Sequence, residues 1–230
     1  MVYSTFIGGN TGDIGSSIIL DQYDNAIISG VTSSSNFPVT SGVYDTILSG
    51  SNDAFISKLN YDGSSLIFST FIGGSKGDGG INIKTDGSGD LFLIGETYSS
   101  DFPISSFAFM KTIPAHSISL RIGFICKLNS NASSIIYSTY IGGKNEDYIT
   151  SLVIDKTGSA IVGGYTESHD YPTTPGCFDA SFGGSPGYDR DVFISKFNAN
   201  GSSLIFSTYI GGNQEEICNA ITIDSNNNVY

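Results

Sequence analysis

The stretch IIYSTYIGGKNEDYITSLVID (residues 135–155) reads as two strands joined by a glycine-bearing acidic turn, and the chain says nearly the same thing four times. Tyr3, Phe68, Tyr137 and Phe206 open the copies, at spacings of 65, 69 and 69 residues. A period of this size filled with strand-like segments predicts a propeller or solenoid. In SSLIFSTFIGG (64–74), Leu66, Phe68, Thr70 and Ile72 fall on one face, and Ile67, Ser69 and Phe71 on the other. That is the period of two of a strand, not the 3.6 of a helix.

Each unit holds four such segments, in the first GSSIILD (15–21), NAIISGVT (25–32), DAFISKLN (53–60) and SSLIFSTFIGG (64–74). The turns between first and second strands begin at Asp21, Asp86, Asp155 and Asp224, and their fourth positions are Asp24, Gly89, Gly158 and Asn227. Those residue types tolerate the left-handed backbone that a tight hairpin requires. The turns between third and fourth strands read NYDGSS, NSNASS and NANGSS. Ala132 is the imperfect member, and because alanine resists positive φ it predicts a differently shaped turn there. The paired glycines after each aromatic start predict a sharp reversal of the chain.

Four antiparallel strands per repeat, joined by hairpins, make a propeller blade. The expected architecture is all-β: three complete blades at about 15–74, 80–143 and 149–212, with remnants at 1–9 and 217–230. Three blades do not close a wheel, and their uncovered apolar rows would exceed an ordinary exposed patch. A fragment of a longer propeller, or a protomer completed by others, is the reading. The long link between second and third strands carries an aromatic before proline in each unit: Phe37-Pro38, Phe102-Pro103 and Tyr171-Pro172. Loops this long have packing or a task of their own; here the aromatic is expected to tuck beneath the loop as an anchor, with partner binding as the alternative.

Composition narrows the function. The net charge of −12, with Lys and Arg scattered singly, argues against nucleic acid. Cys126, Cys177 and Cys218 form no CxxC and are odd in number, so they read as small hydrophobes rather than a disulfide framework or zinc site. No run of about 18 apolar residues predicts a membrane span, and MVYSTFIGG lacks the layout of a secretion signal.

The recurring Y/F-S-T-F/Y-I-G-G, the acid four positions beyond the second glycine, then Ile-x-Ile-Asp, and later F/Y-P and D-A-F-I-S-K-L-N, resembles the SBBP repeat, a family named for a seven-bladed β-propeller. The resemblance runs the length of the chain. It implies a segment of a large bacterial or archaeal surface or secreted protein, with a structural or binding role and no catalytic residues to carry over. The middle unit departs from the pattern, with Lys84 and Thr85 in place of Ile19 and Leu20 and no acid matching Asp53 and Asp191. That blade is expected to be looser or to differ at its edge.

One polar column is Asp13, Asp78, Asp147 and Glu216, the acid in the turn before each first strand. Near the mouth of a central channel these carboxylates could form a ring that holds Ca2+ through oxygen ligands or attracts a basic partner. Alternatively, each accepts backbone N–H groups and fixes its own turn. Asp21, Asp86, Asp155 and Asp224 read as Asx-turn residues. His116 and His169 lie in long loops with no nucleophile beside them by sequence, and no G-x-S-x-G elbow occurs. Tyr44, Phe109 and the loop residue Tyr188 are candidate partner contacts, core anchoring being the alternative for each. The expected function is a non-enzymatic, extracellular or cell-surface adhesion-type scaffold whose loops meet protein or glycan. A lyase or hydrolase at the channel mouth, or a calcium-stabilised scaffold, is the alternative.

Overall fold

A computed structural model of the chain describes residues 3–114, 120–184 and 189–230. The described residues hold twelve strands and no helix. The first sheet is β1 (Asp13–Leu20), β2 (Ala26–Thr32), β3 (Asp53–Leu59) and β4 (Leu66–Ile72). The second is β5 (Asp78–Thr85), β6 (Leu91–Thr97), β7 (Ile122–Leu128) and β8 (Ile135–Ile141), and the third β9 (Asp147–Ile154), β10 (Ala160–Thr166), β11 (Asp191–Phe197) and β12 (Leu204–Ile210). Each sheet is an open four-stranded meander in chain order, which is the blade of a β-propeller. The first strands begin at Asp13, Asp78 and Asp147, two residues earlier than the alternation predicted, because the acid itself pairs with the threonine ending the second strand.

By contacts the chain divides into two compact units, Met1–Pro103 with Cys126–Ile136, and Ile104–Ile125 with Tyr137–Tyr230. In the first unit β5 lies against β1, β2 and β3. Glycines allow that approach, since a Cβ on Gly80 would stand 3.1 Å from the Gly30 carbonyl oxygen and 3.5 Å from the Ala54 Cβ. In the second unit the segment around Cys218 and Ile221 covers Ile161 in the same manner. The Ile221 amide donates to Ser151 Oγ at 3.0 Å, and Ile223 bridges Val229 antiparallel.

The long loops pack. Phe37 is 3% exposed, 4.5 Å from the Phe55 ring and 6.1 Å from Phe71. Tyr171 stacks at 4.3 Å on Phe193, and its hydroxyl shares a 3.0 Å bond with Ser195 Oγ. Beyond the anchor the chain runs along the outer strand: Thr40 N–H donates to Ser69 O (3.1 Å) and Phe71 N–H to Asp45 O (3.1 Å). In the second unit Thr174 donates to Ser207 O (3.0 Å) and Tyr209 to Asp179 O (3.0 Å). Each loop thereby covers the edge of its own blade, where unpaired groups would invite another strand.

The turns follow the predicted chemistry, with Asp24, Gly89, Gly158 and Asn227 all at positive φ. Ala132 corrects one expectation: its φ of 55° matches Gly63 (70°) and Gly201 (69°), so the turn keeps its shape. The Asn129 side chain holds it by accepting from the Ser133 (2.9 Å) and Ser134 (3.1 Å) amides, as Asn198 does for Ser202 and Ser203. The Gly-Gly pair is corrected as well. A Cβ on Gly73 would stand 2.5 Å from Asp53 Cγ, and one on Gly74 2.7 Å from Ser99 Cβ. Close approach, rather than a reversal at positive φ, demands these glycines. The middle repeat is not loosely packed. Ile122, which stands where the other blades have the acid, is fully buried, as are Phe124, Ile125, Cys126 and Leu128. The cysteines are free thiols, Cys126 and Cys218 buried and Cys177 partly so.

Candidate functional site

The acids of the first column each accept the amide of a glycine four residues upstream, and Asp13, Asp78 and Asp147 also accept hydroxyls of the blade they open. Asp13 takes the Gly9 amide (2.7 Å), the Thr32 hydroxyl (2.5 Å) and the Ser34 hydroxyl (3.1 Å). Asp147 takes Gly143 (2.7 Å), Thr166 (2.5 Å) and Ser168 (3.3 Å) in the same geometry. Asp78 accepts from Gly74 (2.7 Å) and Ser99 (2.9 Å), and Glu216 from Gly212 (2.9 Å). Identical donors give opposite titration because burial differs. Complete burial pushes Asp147 up to about 7 against its donors, whereas at Asp13 the donors outweigh desolvation and the carboxyl falls below its usual range. Asp78 is also raised by burial. Among the described residues no three His, Cys, Asp or Glu side chains gather as metal ligands.

The second column is built as Asx-turns, with a lysine added. Asp21 accepts from the Tyr23 (2.8 Å) and Asn25 (2.9 Å) amides, Asp86 from Ser88 and Asp90, Asp155 from Thr157 and Ser159, and Asp224 from Asn226 and Asn228. Lys58, Lys127 and Lys196, the lysines of the third strands, close on Asp21, Asp86 and Asp155 at 2.8, 2.8 and 2.7 Å. The lysines were legible as a repeated letter in S/C-K-L/F-N; their partners were not.

The loop candidates separate. Tyr44 is 38% exposed, and its amide donates to the Ala132 carbonyl at 2.8 Å. The Phe109 amide donates equivalently to the Gly201 carbonyl (3.0 Å), and its half-buried ring meets Phe197 edge-on at 5.9 Å. Tyr188 and His116 lie outside the described residues. His169 is exposed, its ring 4.4 Å from Phe182.

A cluster that the sequence reading did not single out lies in the second unit. Both arginines of the chain converge on one stacked tyrosine pair: Tyr148 and Tyr165 lie 4.7 Å apart, Arg121 sits 5.4 Å from the Tyr148 ring, and Arg190 5.0 Å from Tyr165. Arg190 also bonds Glu167 (3.1 Å) and Glu215 (3.0 Å), and Tyr148 donates to Glu146. Burial, and then Glu146, raise the Tyr148 phenol. In the other repeats the Tyr148 position is Ile14, Gly79 or Ile217, so the stacked pair with its two arginines occurs once along the chain, Arg121 reaching it from the segment before β7. Cation–π and ion-pair contacts of this kind hold a partly exposed patch rigid while leaving it polar.

Residues 205–230 match the family model described as SBBP, a beta-propeller repeat. No curated protein matches the chain. The match lies on the fourth copy, and the same letters open at Tyr3, Phe68 and Tyr137. No helix among the described residues is long and apolar enough to cross a membrane.

Proposed function

We propose that the chain is a non-enzymatic propeller segment of an extracellular or cell-surface protein, presenting variable surfaces to protein or glycan partners. One observation supports this reading above others: the polar groups that recur in every blade are bonded within the scaffold, while the exposed chemistry differs from blade to blade. Asp13 and Asp147 are each held by one amide and two hydroxyls of their own repeat. The Arg121–Tyr148–Tyr165–Arg190 cluster occurs once. Repetition of this kind serves architecture, and variation on a repeated frame serves recognition. The resemblance of the repeat to segments of large surface proteins supports the location.

Protease shaving of intact cells, followed by detection with an antibody against this chain, tests the location. Release of the epitope into the medium is expected. An epitope accessible only after lysis would overturn it.

A further inference from the structure

In the first unit a cavity of about 490 Å³ opens between the β1–β2 and β5–β6 hairpins. Its charged members are already neutralised. Lys58 closes on Asp21 at 2.8 Å, and Asp86 is bonded by Lys127, also at 2.8 Å. The remaining carboxylate oxygens take the Tyr23, Asn25, Ser88 and Asp90 amides. An ionic ligand would have to break these bonds, and the −12 net charge of the chain opposes a polyanion.

What the cavity offers instead is a mixed wall. Gln22, Thr85, Ser88 and Ser130 supply amide and hydroxyl groups, and Leu20 and Ile27 supply apolar surface. Tyr23 stands at the lip, 70% exposed. Concave sites that combine apolar surface with a few polar groups are the usual form of a small-molecule site, and this volume lies within their range. An exposed aromatic ring beside neutral hydrogen-bonding groups suits a ligand with one apolar face and a rim of hydroxyls.

We infer that this inter-hairpin cavity binds a neutral sugar of about disaccharide size, the ring lying against Tyr23 and its hydroxyls meeting Gln22, Thr85 and Ser88. The inference rests on the glycan branch of the proposed function and gives it a place.

The test is saturation-transfer NMR and calorimetry on the whole chain with lactose, maltose and cellobiose, beside glucuronic acid and CaCl2. Two variants accompany it. Tyr23→Ala removes an exposed ring. Gly87→Trp fills the space, since nothing lies within 4 Å of where a Cβ on Gly87 would stand. Saturation transfer from the wild type to at least one neutral disaccharide, weakened at least tenfold in both variants with their melting unchanged, is the expected result. No transfer to any neutral sugar, or a preference for the acid or the metal ion, overturns the inference. Transfer that both variants leave intact places the sugar elsewhere: this site falls, and the surface scaffold does not.

Discussion

Asn52 and Asp78 hold each other twice across neighbouring blades of the first unit: the Asp78 amide donates to the Asn52 carbonyl at 2.9 Å, and Asn52 Nδ2 donates to the Asp78 carbonyl at 3.0 Å. The main-chain half recurs in the second unit, from Asp147 to Arg121 (3.4 Å) and from Glu216 to Arg190 (2.7 Å). The position before each third strand is therefore where one repeat grips the next, and its side chain is free to vary. Asn52→Ala keeps the main-chain bond and loses the other. The expected cost is about 1 kcal/mol, read as a lower urea midpoint with an unchanged slope.

The aromatic anchors differ in what they contribute. Phe37 fills space among Phe55, Phe71, Val39 and Leu48, so Phe37→Ala should cost about 3–5 kcal/mol by leaving a cavity. Tyr171→Phe keeps the stack on Phe193 and removes only the bond to Ser195, for about 1 kcal/mol. Chemical denaturation of both variants checks the order; equal losses would contradict the anchor role.

Gly201→Ala should be among the costliest single-methyl changes. Its φ is 69°, and an added Cβ would stand 2.3 Å from the Tyr137 ring. Left-handed strain of about 1–2 kcal/mol adds to overpacking of about 1–3 kcal/mol. The fall in melting temperature should exceed that of Gly158→Ala, whose Cβ would meet nothing within 4 Å.

Stability should depend on pH with opposite slopes in two windows. Burial raises Asp147 to about 7 and Asp53 to about 6, so between roughly pH 4 and 7 the folded state keeps protons that the unfolded chain has released, and stability is lost as pH rises through that window. At Asp155 burial is outweighed by Lys196 and the turn donors, which lower the carboxyl to about 2; that contribution is present above roughly pH 4 and is lost as pH falls toward 2. Thermal melting across this range should peak in the mildly acidic region, and Asp147→Asn should flatten the upper slope.

Melting should be unchanged by EDTA. The carboxylates of the first column already accept from amides and hydroxyls of the scaffold, as at Asp13 and Asp147. A downward shift of the transition on chelation would instead favour calcium on that column.

The sequence by itself determined the strands, their order and the hairpins. Alternation and turn chemistry act over a few residues, and Asp24, Gly89, Gly158 and Asn227 could be named as left-handed from their types alone. It also offered Phe37 and Tyr171 as anchors, with partner binding as the alternative, and both rings are buried. Only the tertiary structure decided why the glycines pair, since Gly73 and Gly74 yield space to Asp53 and Ser99 rather than φ to a turn. Only there do Lys58, Lys127 and Lys196 find their aspartates, and Arg121 and Arg190, a full repeat apart, face the same tyrosines. Local pattern specifies an element and its edges; which side chains meet depends on how one sheet is laid against the next, and that is written in no short stretch of the chain.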